Sequence, residues 1–344
     1  MALPLDLDTV VQTLGSPRVL GAIATAASLT LVLRSLYAFQ PPKPLTIRPS
    51  IRNAPTSDAL TKLKEVYPED FYPSGGYFHG PYGATHYYVL GESGPKVVFV
   101  HGFSIPSVVW KQLAEKLASR GYQVLLYDLH GRGYSDAPDV PYTAALYTTQ
   151  LALLMQYLKW DKAFIVGLSM GGAITTAFAA DYPHLVDGKA VLIAPAGLMQ
   201  PEALSRPIVL MSNLFFSPIF SHALRFIRTA SAGQSRADEV QTLQRVALPG
   251  YLQALASSLR HGPLTGLEWA FTQVGSADTK VQFLHIHGTS DDVVPYSHTR
   301  EAIAAFIPAD HLQHLRLDGA GHDLCYDEKF APIILEKLDT FLSN

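Results

Sequence analysis

Cysteine, asparagine and charge are all scarce in this chain of 344 residues. Cys325 is the one cysteine, so an intramolecular disulfide is impossible and a cysteine-based zinc or iron–sulfur site is disfavoured. A single thiol suits a reducing compartment. The three asparagines, Asn53, Asn213 and Asn344, lie outside Asn-x-Ser/Thr sequons, which disfavours passage through a glycosylating compartment. Charged residues make up 16%, against about 25% in a typical soluble domain. Net charge is only −3 and no basic stripe stands out, so no nucleic-acid partner is expected. Internal repeats and low-complexity tracts are absent too. What is abundant is apolar side chain, 48% of the residues. That excludes a disordered chain and supplies a large core. The length suggests about two domains, or one α/β domain with an insertion.

The first compositional shift is at the N-terminus. Val19–Leu33 (VLGAIATAASLTLVL) runs 15 residues without a charge, roughly 22 Å of helix against a bilayer core of about 30 Å. Extending through Arg34 to Phe39 gives about 31 Å, with Arg34 near one end where it can snorkel. Three readings compete: a signal-anchor helix, a buried or amphipathic helix, and a cleaved signal peptide. Asp6 and Asp8 spoil a basic n-region and no clear A-x-A site follows, which counts against cleavage. The anchor is the expectation, giving membrane association through residues 19–39. Arg34, Lys43, Arg48 and Arg52 downstream, against Arg18 upstream, then place the bulk of the chain on the cytosolic side. Residues 1–40 are thus the candidate anchor, 41–75 a linker stiffened by the four prolines of QPPKPLTIRP, and 76–344 the main domain.

From Gly76 onward, elements alternate. Tyr77–His79 and Thr85–Leu90 read as an antiparallel strand pair. Apolar runs at Lys96–Val100, Gln123–Tyr127, Ala163–Val166, Ala190–Ala194, Val281–Ile286 and Leu312–Leu317 read as buried strands. Helical spacing separates them at Ser107–Arg120, Thr143–Leu158, Gly171–Tyr182, Ser297–Phe306 and Ala331–Leu342. Fully apolar strands alternating with helices imply a mostly parallel sheet covered on both faces. Residues 197–280 break the alternation with helix-rich, apolar sequence, including Ile208–Phe220. A lid over a site fits that segment better than additional core.

The strongest chemical signal is Gly167-Leu168-Ser169-Met170-Gly171-Gly172, between a strand and a helix. A G-x-S-x-G in that setting is a nucleophile elbow, whose tight turn demands small flanking residues and pushes the Ser hydroxyl out of the sheet. A serine hydroxyl needs a base. In strand–helix hydrolases the order along the chain is Ser, acid, His. His322, the last of 13 histidines, lies in a Gly-rich loop directly after a strand. The acid must fall between Ser169 and His322. The segment after the strand ending at His287 offers Asp291 and Asp292, and spacing does not separate them. His285 and His287 share one strand face, but no third ligand is evident, so core packing is favoured over a metal. The oxyanion needs two donors: Met170 N–H, directly after the serine, and Phe103 N–H in the loop His101-Gly102-Phe103-Ser104. His101 is read as a brace for that loop. Asp128–Asp136 lacks the full dinucleotide fingerprint and is read as a structural turn, with Arg132 and Asp128 in local ion pairs.

Together HGFS at His101, DLHGRGYSD at Asp128, GLSMGG at Gly167, GTSDDVVP at Gly288 and GAGH at Gly319 resemble the α/β-hydrolase superfamily, from about Tyr77 to Phe341. The resemblance implies an α/β-hydrolase fold, a mostly parallel eight-stranded sheet with a helical lid inserted before the acid-bearing strand. It also implies that the Asp of G-x-x-D-x-x-x-P, here Asp291, is the acid. Ser at 169 disfavours epoxide hydrolases and haloalkane dehalogenases. The N-terminal segment, HGFS, GLSMGG and Pro195–Leu198 resemble membrane-anchored monoacylglycerol-lipase-like hydrolases. The expected activity is hydrolysis of a lipophilic carboxylic ester through Ser169, His322 and Asp291, with no cofactor and no metal. A C–C bond or metabolite-specific hydrolase is the alternative, and a non-catalytic binder of the same fold a distant third.

Overall fold

The computed structural model describes residues 16–38, 44–199, 235–276 and 280–344. The chain divides into two units, Met1–Leu45 and Thr46–Asn344.

In the first unit, helix α1 spans Pro17–Ala38. Leu29, Leu31 and Val32 on it are exposed. No helix among the described residues is long and apolar enough to cross a membrane. This corrects the transmembrane expectation. The charge-free run is only the 15 residues between Arg18 and Arg34 with Val19 to Leu33 at its ends, short of a bilayer core by about 8 Å. Phe39, which the longer reading required, lies outside the described residues.

The second unit opens with β1 (Ile47–Arg48) and α2 (Asp58–Val66). Ser57 caps α2, its hydroxyl accepting from Leu60 N at 3.1 Å. Leu60 and Leu63, one turn apart, are buried, as are Ile51, Tyr67 and Tyr72. Residues 46–75 therefore pack into this unit, although their prolines read as linker. The hydrophobic spacing of one short helix outweighs the extended tract before it.

Then follow β2 (Gly75–Gly80), β3 (Gly83–Leu90), β4 (Lys96–Val100), α3 (Ala114–Ser119), β5 (Gln123–Tyr127), β6 (Ala137–Pro138), α4 (Ala144–Tyr157), β7 (Ala163–Leu168), α5 (Met170–Asp181) and β8 (Val186–Ile193). After β8 come α6 (Arg236–Ala247), α7 (Tyr251–His261), α8 (Glu268–Val274), β9 (Gln282–Gly288), α9 (Tyr296–Phe306), β10 (Leu312–Leu317) and α10 (Ala331–Ser343). Eight strands form one sheet in the order β10-β9-β8-β7-β4-β5-β3-β2. β2 and β3 run antiparallel, and the six from β5 to β10 along the sheet run parallel. This is the α/β-hydrolase fold, as expected.

Every residue of β7 is buried, because helices cover both faces. One face packs against α4, α5 and α8 through Leu151, Ile174 and Phe271. The other packs against α3 and α10 through Leu117, Ile334 and Leu338. Removing one such side chain, Ile165→Ala for example, costs about 2–5 kcal/mol. The sheet is thus a rigid floor, and the loops at the carboxyl ends of β4, β7, β9 and β10 inherit fixed positions from it.

The helical insertion between β8 and β9 carries α6, α7 and α8. Val240, Tyr251, Leu252 and Leu255 of α6 and α7 form a third apolar cluster with Ile51, Leu60, Leu63 and Tyr67. Residues 200–234 and 277–279 of the expected lid, including Ile208–Phe220, lie outside the described residues.

Candidate active site

Ser169 sits between the last residue of β7 and the first of α5, at φ +57° and ψ −120°. A non-glycine residue there carries roughly 1–3 kcal/mol of strain. Its surroundings enforce that conformation. Ser169 N donates to Ile193 O at 2.8 Å, and Ser169 O accepts from Gly172 N at 2.9 Å and Ala196 N at 3.0 Å. The flanking glycines are required by close approach. A Cβ on Gly167 would lie 2.1 Å from Gly171 O, and one on Gly171 would lie 2.0 Å from Val100 O. The strand-to-helix turn is therefore packed onto the end of β4, and Ser169 is only 7% exposed.

Asp291 and His322 occupy the loops after β9 and β10, which adjoin in parallel register. Thr289 N donates to Leu317 O at 3.0 Å, Ser290 N to Ala320 O at 2.9 Å and Gly319 N to the Thr289 hydroxyl at 2.9 Å. Across this lacing His322 Nδ1 meets Asp291 Oδ2 at 2.7 Å. Asp291 Oδ1 accepts from Val293 N at 2.9 Å and Val294 N at 2.8 Å. Burial works against the charge on Asp291, but the donors at His287, His322 and Val294 outweigh it and hold the carboxyl well below its ordinary range. Asp292 is exposed and makes no such contact, so geometry separates the two carboxylates that spacing left equal.

The loop after β4 passes directly against the serine: a Cβ on Gly102 would stand 3.3 Å from Ser169 Cβ. His101 is fully buried in that loop. Its Nε2 accepts from Leu129 N at 2.8 Å, which places the ring proton on Nδ1, and Nδ1 donates to Gly102 O at 2.9 Å. Burial lowers its pKa to about 4, so it stays uncharged. The Gly102 carbonyl shares its peptide plane with Phe103 N–H, and in a trans peptide the two point opposite ways. His101 therefore aims Phe103 N–H away from itself. Met170 N–H, the other expected donor, opens α5, where the first turn's N–H groups have no partner within the helix.

The turn after β5 supports this loop. Asp128 accepts from Ser107 N and Tyr134 N, each at 2.9 Å, and from the Tyr67 hydroxyl at 3.1 Å. Burial opposes its charge, but nearby His86 and His101 help hold its carboxyl below the ordinary value. Arg132 is fully buried. It donates to Phe103 O at 2.9 Å, His130 O at 2.9 Å, the Tyr147 hydroxyl at 2.8 Å and the Ser258 hydroxyl at 3.0 Å. The rings of Phe103, Tyr142 and Tyr147 lie within 6 Å of its guanidinium carbon, at 5.7, 5.8 and 5.8 Å. Among the described residues the ion pair expected for Arg132 is not made. Carbonyls, hydroxyls and ring faces surround its guanidinium instead.

Ser169, His322, Phe103 and Gly102 line one cavity of ≈ 560 Å³. Ile105, Val109, Leu168, Leu252, Leu255 and Leu259 give it an apolar wall, while Asp238, Arg245, Asp292 and Asp323 supply charge. Asp291 lies behind His322, and Met170 beneath Ser169 is fully buried. No group of three or more His, Cys, Asp or Glu suited to a metal occurs among the described residues.

Sequence reasoning placed His285 and His287 in the core, where they are buried, but missed what they link. His314, His285 and His287 touch in series, and His287 Nε2 comes within 3.3 Å of Asp291 Oδ2. The signal was available: His285 and His287 are two apart on β9, and His314 is the register partner of His285 on β10.

The chain is 28% identical over 241 residues to the pimeloyl-[acyl-carrier protein] methyl ester esterase of Xanthomonas campestris, covering 69% of this chain and 91% of the relative. It is 26% identical over 290 residues to an uncharacterized protein of Mycobacterium tuberculosis, covering 76% and 81%. Among solved structures it resembles the enol-lactonase from Burkholderia xenovorans LB400, with a TM-score of 0.62 and 24% identity, covering 78% of this chain and 100% of that one. Residues 91–329 match the family described as serine aminopeptidase S33, and the chain belongs to it.

Proposed function

We propose that this member of the serine aminopeptidase S33 family is a carboxylic ester hydrolase in which Ser169 is the nucleophile, His322 the base and Asp291 the acid. The observation that carries the reading is the convergence of a strained Ser169 and a His322 bonded to Asp291 on one cavity. His322 Nε2 takes the Ser169 proton as Oγ attacks the ester carbonyl. The oxyanion is held by Phe103 and Met170 N–H. The imidazolium passes its proton to the departing alkoxide, leaving an acyl-serine. Water, deprotonated by the same nitrogen, releases the acid. Asp291 keeps the ring proton on Nδ1 and stabilises the imidazolium.

The substrate is a lipophilic acyl ester of the monoacylglycerol type. The apolar wall formed by Leu252, Leu255 and Leu259 supports this, as does likeness to a relative named as a methyl ester esterase. Exposed Leu29, Leu31 and Val32 on α1 support association with an apolar surface such as a membrane. A second reading, cleavage after a free amino terminus, draws on the family's description and on Asp292 and Asp323 at the cavity, which suit an ammonium group.

One experiment separates the two. The full chain and Ser169→Ala are assayed on p-nitrophenyl esters from C2 to C16 and on aminoacyl p-nitroanilides, with and without liposomes. Turnover rising toward long acyl chains and lost in the variant is expected. Turnover confined to anilides sinks the ester reading.

A further inference from the structure

Two of the three histidines in the series between β10 and the acid loop are buried, and every contact along it involves a specific ring nitrogen. His314 Nδ1 lies 3.2 Å from His285 Nδ1, and His285 Nε2 lies 3.0 Å from His287 Nδ1. His287 Nε2 lies 2.8 Å from Val294 O and 3.3 Å from Asp291 Oδ2. His314 is exposed, whereas His285 and His287 are 1% and 0% exposed.

The proton positions follow from the inner end. Val294 O only accepts, so His287 Nε2 carries a proton and donates. In an uncharged ring His287 Nδ1 then accepts, so His285 Nε2 donates to it. His285 Nδ1 in turn accepts from His314 Nδ1–H. The opposite direction would face a bare ring nitrogen toward a carbonyl and a carboxylate at once. A metal does not fit these nitrogens, because each points at another ring or at Val294 rather than at a common centre.

The inner end lies on the proposed acid. Val294 both accepts from His287 and donates its own N–H to Asp291 Oδ1 at 2.8 Å. His287 therefore grips the turn that carries Asp291 and lies on the same carboxylate oxygen that His322 uses. We infer that His287 is a positioning residue for Asp291, and that His285 and His314 form the hydrogen-bonded chain that holds His287 in the tautomer protonated at Nε2. This rests on the proposed triad but not on the ester as substrate.

The groups that face this chain are few. Arg300 of α9 disfavours a proton on both His285 and His314, in each case adding to burial. Asp291 faces its inner end, and the ring of Tyr296 stands 5.5 Å from that of His287. His322 meets Asp291 and shares its cavity with Asp238, Arg245, Asp292 and Asp323. Removing the His287 donor leaves the Asp291 carboxylate with one hydrogen-bond donor fewer, so in the variant it favours the protonated imidazole beside it more strongly and the acid limb of reactivity moves to higher pH.

The test uses fluorophosphonate labelling of Ser169 in the full-length protein, which needs a working nucleophile but no ester turnover. His287→Leu should label about 10- to 100-fold more slowly, in line with loss of a hydrogen bond to a charged group, with its acid limb moved upward. His287→Gln, which restores a donor near Nε2, should recover to within about threefold of wild type. His285→Leu should fall between them, because His287 is then free to change tautomer. In the wild-type protein, ¹⁵N spectra of labelled histidine should show His287 protonated at Nε2 and bare at Nδ1. A His287 protonated at Nδ1 overturns the proposal, as does a folded His287→Leu that labels at the wild-type rate with an unmoved acid limb. Normal labelling without ester turnover would strike the proposed substrate and leave this inference standing.

Discussion

Two buried histidines flank Ser169, one on each side, and each fastens a loop. His101 ties down the loop that carries Phe103 N–H, and His287 ties down the turn that carries Asp291. They are held in different ways. His101 is framed by two backbone groups, Leu129 N and Gly102 O. His287 is framed by a carbonyl on one side and another side chain on the other. Backbone framing is set by the fold alone and survives any nearby substitution that leaves the strands in place. Side-chain framing needs particular residues on two strands, so it is easier to tune and easier to lose.

The comparison breaks most completely at the proposed acid. Asp291→Asn should lower kcat by about 10⁴-fold, because an amide holds the wrong His322 tautomer. Asp292→Asn, measured beside it on the same ester, should change kcat by less than about twofold. Equal losses in the two would mean that the contact at His322 does not carry the acid role.

The backbone-framed side sharpens next. His101→Leu frees the Gly102–Phe103 peptide and should cost about 10²- to 10³-fold in kcat, the scale of one lost oxyanion donor. Affinity for a trifluoromethyl ketone should fall in parallel, since that inhibitor places an oxyanion in the same position. Loss of kcat with unchanged ketone affinity would argue against His101 acting through Phe103.

Stability gives a smaller and separate comparison. Burial lowers the pKa of both His101 and His130 from 6.5 to about 4. Between those values the unfolded chain binds protons that the folded one refuses, so stability is full above pH 6.5 and drains as pH falls toward 4. Each histidine contributes about 3 kcal/mol to that loss. Urea midpoints measured from pH 7 to pH 4 should fall, and His130→Gln should flatten part of the slope. A midpoint constant over that range would contradict the burial of these rings.

The sheet was legible because its strands are fully apolar. VVFV, VLLY and FIV announce burial on both faces, which only a covered parallel sheet provides. The turn at Ser169 was legible because its glycines are forced: a Cβ on Gly167 or Gly171 would lie 2.1 or 2.0 Å from backbone oxygen. Residues 46–75 were not, since the proline-rich tract Gln40–Pro49 that leads into them dominates local composition and the apolar side of α2 has meaning only beside α6 and α7. Arg132 misled for a different reason. Asp128 four residues before it invites an ion pair, but Asp128 is taken up by Ser107, Tyr134 and Tyr67, and Arg132 turns instead toward Phe103 O. Such allocations depend on which partners tertiary folding brings first into reach, and no spacing rule records them.

Arg132 has one further consequence. It is a permanent positive charge with no carboxylate bonded to it among the described residues, buried among ring faces and bonded to the carbonyl of Phe103. Mobile ions cannot enter to screen it, so Arg132 and the equally buried Asp128, which act on His101 with opposite signs, together set a standing electric field around the loop that carries Phe103. An enzyme that draws its polarising field from a sealed charge should be indifferent to the medium outside. Turnover of an uncharged ester should therefore stay flat from dilute buffer to molar salt, and a steep decline would place the governing charges at the surface.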